Sequence, residues 1–318
     1  MIPALVLTAG LATRLRPLSL VRAKAALPVA GPPLVQRILR QLAAAGVEDA
    51  VLNLHHLPQS ITREVGDGSD LGIHVRYSWE DPVLGSAGGP KRAVPLIRAL
   101  RGAPATFLVV NGDTLTNADL QSAIDAHRAS GALVTMAVVP NTEPDKYGGA
   151  VVNEDGAITR FVRRGSQEPS WHVIGIQVVE ADAFASVPEH VPYESVSTLY
   201  PALIAARRGS VHAFRCQAEF FDIGTPADYL STSLHFASRE SASTIGARTT
   251  IHPTARIEQS VLWDDVVVEE GARLRECVVT DGVRVPGDTS WHGVSLRVAR
   301  GDLTAGEKEY EGLAIAAL

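Results

Sequence analysis

From residue 245 onward the apolar residues keep a period that few folds can accommodate. Ile245, Ile251 and Ile257 stand six apart, as do Leu262, Val268 and Leu274, then Val279 and Val285; the steps of six are broken twice by a step of five. Turn-forming residues fill the gaps. A helix repeats its apolar face about every 3.6 residues and a half-buried strand about every second one, while an antiparallel sandwich turns roughly every 8 to 12. A six-residue period suits a parallel β-helix instead, in which each hexapeptide supplies one side of a coil and stacked coils bury a continuous apolar column. The pattern predicts a β-helix over residues 245–290, followed by a C-terminal tail at 291–318.

The region before it has a different character. Short β-branched runs predict strands at 4–7, 50–54, 73–77 and 106–110, with amphipathic helices between and after them at 34–45, 59–65, 87–100 and 118–129. Gly46 stands where a helix commonly stops. This alternation predicts an α/β domain with a Rossmann-like, mostly parallel sheet and helices on both faces. Further strands at 133–139, 149–152, 157–162, 173–179 and 211–214, with fewer helices, predict that the sheet becomes mixed. The polar stretch SRESAST, Ser238 to Thr244, reads as a linker that closes a domain at 1–238.

Charge narrows the function. The 318 residues carry a formal charge of −6, which argues against nucleic acid or an anionic membrane as partner. Yet Arg14, Arg16, Arg22, Lys24, Arg37 and Arg40 all precede the first acidic residue, Glu48. A cationic segment in an acidic chain suggests a small anionic ligand. Two cysteines make no disulfide framework, no apolar stretch approaches the roughly 18 residues of a membrane span, and the N-terminus lacks a signal-peptide pattern. A cytoplasmic protein is expected.

Three distant stretches carry the chemistry. TAGLATRLRPLS, residues 8–19, leaves the first predicted strand at its carboxyl end, where open α/β sheets bind ligands. Amides around Gly10 can cradle phosphate oxygens there, with Arg14 and Lys24 adding charge, although neither G-x-G-x-x-G nor G-x-x-x-x-G-K-[ST] is present. FLVVNGDT, residues 107–114, ends a strand on Asp113, which suits either an oxygen ligand for Mg²⁺ or a plain turn. In FFDIGTPADYL, residues 220–230, Thr225, Pro226 and Asp228 form a capping-box-like helix start. Asp222 is left over among Phe220, Phe221 and Ile223, where an ionised carboxylate is costly unless paired or metal-bound. Two such carboxylates could share one Mg²⁺.

Together these stretches resemble the signature of the sugar-1-phosphate nucleotidyltransferases. TAGLATRLRPLSLVRAKAALPVAGPPL (residues 8–34) is similar to the family's GGxGTRLxPLT and PKxLLPVxGxPL motifs. VLGSAGG (83–89), VNGD (110–113) and DIGTP (222–226) follow in the family's order. The C-terminal repeat resembles the left-handed hexapeptide β-helix that follows many sugar-handling enzymes. The resemblance implies that a sugar 1-phosphate attacks the α-phosphate of a nucleoside triphosphate and pyrophosphate leaves, chemistry that needs positioning and charge neutralisation more than acid–base groups. It assigns Arg14 and Lys24 to the triphosphate and Asp113 with Asp222 to Mg²⁺. Ala9, Gly10, Ser86, Ala87 and Gly88 would lie against the nucleoside, and Gly148 near the sugar.

The departures are as specific as the matches. Ala9 and Ala12 stand where the family has glycine. The family's F-x-E-K-P appears as Phe161-Val162-Arg163-Arg164-Gly165, which puts Arg164 at the phosphate-binding lysine and Arg163 at a sugar-binding glutamate; Gly175 ends a Val-Ile-Gly where Asn-x-Gly is usual. Arginine binds phosphate bidentately, so Arg164 can serve, whereas Arg163 points to altered sugar recognition. LGSAGG and the β-helix resemble mannose-1-phosphate guanylyltransferases and favour GTP. SAGG with the stretch from Gly66 to Glu80 also resembles uridylyltransferases acting on N-acetylmuramic acid 1-phosphate. A catalytically silent, nucleotide-sugar-binding homologue would be expected to lack the charged positions that are present here. An acyltransferase using His252 or His292 would have few coils to build its site from. The β-helix is expected to mediate homo-oligomerisation or to cap the catalytic domain.

Overall fold

The computed structural model describes residues 2–102, 105–301 and 303–318, and the chain resolves into two compact units. The first comprises Met1–Gly10, Arg37–Pro58 and Val65–Phe221; the second comprises Leu11–Gln36, Gln59–Glu64 and Asp222–Leu318. Arg14, Arg16, Arg22 and Lys24 therefore group with the C-terminal third, while Arg37 and Arg40 stay in the first unit, although the sequence pattern attaches all six to the α/β domain.

Eleven strands of the described residues precede the repeat: β1 (Ala4–Leu7), β2 (Asp49–Leu54), β3 (His74–Trp79), β4 (Thr106–Asn111), β5 (Thr114–Thr116), β6 (Val134–Pro140), β7 (Gly149–Val152), β8 (Ile158–Val162), β9 (Trp171–Glu180), β10 (Val211–Arg215) and β11 (Phe220–Asp222). Helices α1 (Leu34–Ala44), α2 (Pro58–Val65), α3 (Gly85–Arg98), α4 (Leu120–Ser130) and α5 (Tyr200–Ala206) are interspersed. The main sheet has the order β10-β6-β9-β4-β1-β2-β3, with the β7–β8 hairpin attached at β9. Strands β4, β1, β2 and β3 run parallel, as do β6 and β10, and β9 is antiparallel to both β4 and β6. The sheet is mixed, as the pattern predicts.

Local chemistry explains the elements. Ala4, Leu5 and Val6 of β1 and Val51 and Leu52 of β2 are wholly buried, the continuous apolar run expected of central parallel strands. In α1, Leu34, Val35, Ile38, Leu39 and Leu42 form one buried stripe. Gly46, at φ 85°, ends it, and the Val47 N–H reaches back to the Leu42 carbonyl at 3.0 Å. Helix α4 starts on Asp119, whose side chain accepts the Ser122 N–H at 3.1 Å, and stops at Gly131.

The second unit holds α6 (Pro226–Glu240) and a stack of short strands: β12 (Thr250–Ile251), β13 (Arg256–Glu258), β14 (Val261–Leu262), β15 (Val267–Val268), β16 (Arg273–Arg275), β17 (Val278–Val279), β18 (Arg284–Val285), β19 (Ser290–His292), β20 (Val294–Val298), β21 (Lys308–Tyr310) and β22 (Leu313–Ala317). Parallel partners are 17 residues apart: Thr250 pairs with Val267, Arg256 with Arg273, Val261 with Val278, and Val278 with Ser295. Two steps of six and one of five thus make one coil. Leu262, Val268, Leu274, Val279, Val285 and Leu296 share the buried core of this β-helix.

The structure differs from the sequence reading at both ends of the repeat. Ser238, Arg239 and Glu240 complete α6, with Ser241 in the left-handed region at φ 53° as its cap, so the linker is shorter than SRESAST. The coil register runs past 290 through β19 and β20, and residues beyond form the antiparallel set β20-β22-β21. The Arg297–Glu307 pair, at 2.5 Å with both side chains buried, ties that set together. Both cysteines are free, and burial pushes the Cys277 thiol up from its ordinary pKa. Among the described residues no helix is long and apolar enough to cross a membrane.

Candidate active site

The chain order reverses at β1, with β2 and β3 on one side and β4 on the other. Such a switch point opens a crevice at the carboxyl ends of the strands. There the first unit has a cavity of about 220 Å³, whose lining includes Ala9, Gly10, Asn53, Glu80, Ser86 and Asp113. Asn53, at the end of β2, organises it. Its Oδ1 accepts the N–H groups of Thr8 at 2.6 Å and Ala9 at 3.3 Å, and its carbonyl accepts the Thr8 hydroxyl. With Oδ1 so engaged, Nδ2 donates to Glu80 Oε1 at 2.7 Å, while Glu80 Oε2 accepts the Leu84 N–H at 2.7 Å. Glu80 is only 4% exposed, a buried carboxylate fixed by two neutral donors.

Two glycines make this packing possible. A Cβ on Gly89 would lie 2.6 Å from Glu80 Oε1, and one on Gly112 would lie 2.5 Å from the Leu7 carbonyl oxygen. Gly112 therefore lets the exit of β4 run against that of β1, its N–H donating to Leu7 at 3.0 Å, which sets Asp113 in the cavity wall. Asp113 Oδ1 accepts the Thr114 hydroxyl at 3.1 Å. Gly175, a kink in β9 at φ 78°, packs beside Asn111 and Thr114. Gly148 meets the backbone of Arg163 and Arg164, both exposed, where β7 pairs with β8. Beside Gly148, His172 stacks on Tyr147 and Phe220 with ring centroids 4.1 and 4.8 Å away. Burial holds its pKa below the usual histidine value against the opposing hydrogen bond with Gly148.

Ser86 is held on both sides: its hydroxyl donates to Glu194 at 2.6 Å and accepts the Ser195 N–H at 2.8 Å. Ala87 and Gly88 do not share its position on the cavity. Each helical residue turns by about 100°, so Ala87 is buried in the core and Gly88 lines a separate cavity with Trp79, Lys91 and Arg92. Asn53, Glu80 and Glu194 escaped the sequence reading. For the first two a signal existed: each is a polar residue at the carboxyl end of a predicted strand, on the same sheet edge as Thr8 and Asp113.

The second unit holds the remaining charged positions. A Cβ on Gly224 would lie 3.5 Å from Asp222 Oδ2 and 3.7 Å from Arg14 Nη2, so Arg14 and Asp222 flank that glycine. Asp228 is engaged structurally: its side chain accepts the Thr225 N–H at 3.0 Å and its own N–H donates to Thr225 Oγ1, the predicted capping box. Lys24 opens a short 3₁₀ turn. Ala12 has φ 48° and ψ 46°, a left-handed conformation that costs a residue with a Cβ about 1 to 2 kcal/mol. Ala12→Gly is therefore expected to stabilise the chain by about 0.5 to 1 kcal/mol, read as a higher unfolding midpoint in denaturant; a lower midpoint would contradict the strain.

Residues 3–239 match the family described as Nucleotidyl transferase. The chain belongs to that family. Residues 235–295 match a second family, described as GlmU-like, C-terminal hexapeptide. Among curated proteins, this nucleotidyltransferase is 31% identical over 296 residues to a mannose-1-phosphate guanylyltransferase of Mycobacterium tuberculosis, covering 89% of this chain and 81% of that one. It is 27% identical over 315 residues to a UTP–glucose-1-phosphate uridylyltransferase of Synechocystis, covering 94% and 80%. Among solved structures, HddC from Yersinia pseudotuberculosis superposes with a TM-score of 0.64 at 23% identity, over 74% of this chain and 100% of that one, a likeness of fold. Enzymes of this family generally work with a divalent metal ion. Among the described residues no group of three or more His, Cys, Asp or Glu could cage one. The acidic donors instead suit a hard cation held by one or two carboxylates and completed by phosphate oxygens and water.

Proposed function

We propose that this nucleotidyltransferase moves GMP from GTP to a mannose-1-phosphate-like sugar 1-phosphate, giving a GDP-sugar and pyrophosphate. The observation that carries the choice of base is Glu80. A carboxylate only accepts hydrogen bonds, and both its oxygens keep a lone pair for a ligand. Guanine offers N1–H and the N2 amino group side by side, a donor pair that such an acceptor binds at two points. Uracil offers one N–H flanked by carbonyl oxygens, which a buried carboxylate repels. The mannose-1-phosphate guanylyltransferase among the relatives supports the same choice.

In the reaction an oxygen of the sugar phosphate forms a bond to the α-phosphorus, and the bond from that phosphorus to the bridging oxygen of the β-phosphate breaks. No proton need be taken from the attacking group at neutral pH. Asn53 and the Thr8–Ala9 backbone shape the nucleoside end of the cavity, with Gly10 and Ser86 on its walls. Arg14 and Lys24 bind the triphosphate and the charge that develops as pyrophosphate leaves. Asp113 and Asp222 would hold Mg²⁺. When bound, the metal neutralises phosphate oxygens and aligns the leaving group. Gly148, Gly175, Arg163 and Arg164 are assigned to the sugar 1-phosphate, with Arg164 at its phosphate and Arg163 at the sugar. The net charge of −6 disfavours nucleic acid or an anionic membrane as partner, the cytoplasm is the expected compartment, and the β-helix offers a surface for homo-oligomerisation.

Pyrophosphate release tests the reading, with Mg²⁺ present and the four common ribonucleoside triphosphates and dTTP crossed against neutral and acidic sugar 1-phosphates. Release that needs both GTP and one sugar phosphate supports it. Preference for UTP would favour a uridylyltransferase, and silence with nucleotide-sugar binding retained would favour a regulatory homologue.

A further inference from the structure

Arg22 follows Arg14 and precedes Lys24 in the sequence, and its guanidinium is engaged by the β-helix. Nε donates to Asp281 Oδ2 at 2.7 Å and Nη2 to Asp281 Oδ1 at 2.6 Å, a two-point fork, and Nη2 also meets Asp264 Oδ2 at 2.8 Å. Asp264 and Asp281 are 17 residues apart, so they hold the same place on successive coils. Like charges stacked in this way repel, and Arg22 is the cation that joins them. Trp263 packs against it, with the guanidinium carbon 5.4 Å from the ring centroid. The indole N–H donates to the Tyr229 hydroxyl at 2.8 Å, and that hydroxyl donates to the Pro28 carbonyl at 2.6 Å. The β-helix and α6 thus grip the segment at residues 22 and 28, on both sides of Lys24. Burial opposes the charge on Arg22, but its bonds and attraction to Asp281 and Asp264 outweigh that and hold its pKa above the ordinary arginine value. Arg22 therefore carries its charge throughout the working pH range.

We propose that the first coils of the β-helix are a positioning element for catalysis: by clamping residues 22 and 28 they fix the backbone that presents Arg14 and Lys24 to phosphate. The inference rests on the assignment of those two residues made above. Displacing a substrate-positioning group by an ångström can cost about 100-fold in rate, so Arg22 acts through Arg14 and Lys24 without touching the reacting atoms. Its own side chain is only 14% exposed and is bound to the two β-helix carboxylates.

The test is steady-state kinetics and thermal melting of the full-length chain carrying Arg22→Met, Arg22→Lys or Asp281→Asn, beside Arg14→Ala and Lys24→Ala. For folded Arg22→Met, kcat is expected to fall about 10-fold or more, with KM for the nucleoside triphosphate raised and KM for the sugar 1-phosphate within about 2-fold of the parent. Arg22→Lys should recover part of kcat, because it restores the charge without the fork. A folded Arg22→Met whose kcat stays within about 2-fold of the parent, while Arg14→Ala and Lys24→Ala collapse, overturns the positioning role alone. Unaffected Arg14→Ala and Lys24→Ala overturn the phosphate assignment and the inference with it. Should Arg22→Met not fold, Asp281→Asn, which keeps volume and removes one charge, decides: a fall of about 3-fold or more in kcat supports the clamp, and an unchanged kcat overturns it.

Discussion

Asp113→Ala is expected to lower kcat by about 1,000-fold, equivalent to about 4 kcal/mol of transition-state stabilisation. The argument runs from the backbone upward. Gly112 admits the exit of β4 against Leu7, and this fixes the carboxylate of Asp113 in the wall of the cavity that Ala9, Gly10 and Ser86 also line. A single carboxylate there is a large part of the protein's share of a hard cation's coordination, the rest coming from phosphate and water. The substitution should leave the fold intact, because Asp113 is only partly buried. Steady-state rates across a Mg²⁺ titration, with circular dichroism as the folding control, check this. A loss of less than about 10-fold at saturating metal would remove Asp113 from the metal site.

The second large effect concerns the base. Glu80→Gln should reduce the preference for GTP over UTP by about 100-fold, measured as the ratio of kcat/KM values. Asn53 cannot turn to accommodate the new amide, because its Oδ1 already accepts from Thr8 and Ala9, and the Leu84 N–H also demands an acceptor. Glutamine meets one of the two donors with its own donor, so the variant should also lose about 1 to 3 kcal/mol of stability. An unchanged preference between the two triphosphates would mean that Glu80 only braces Asn53 and does not read the base.

Much of this was legible because it is local. The strand at 4–7, the stop at Gly46, the capping box at Thr225 and Asp228, and the alternation of six and five in the repeat are each decided by residues a few positions apart. The parallel coils turn that last alternation into a regular 17-residue rise. What escaped depends on contacts remote in sequence. Glu80 acquires its meaning from Asn53, 27 residues away, and Arg22 from Asp264 and Asp281, 242 and 259 residues away. The grouping of residues 11–36 with the β-helix rests on such contacts too. Ala87 and Gly88 part from Ser86 for a different reason: a motif names neighbours in sequence, whereas a helix sends them to different faces.

The most direct test of the central claim is the identity of the product. Purified protein, Mg²⁺, GTP and mannose 1-phosphate should yield, by mass spectrometry, a GDP-sugar and pyrophosphate in equal amounts, with none formed by Asp113→Ala. GDP-sugar absent while GTP is hydrolysed to GMP or GDP, or transfer that proceeds equally with UTP, would contradict the account.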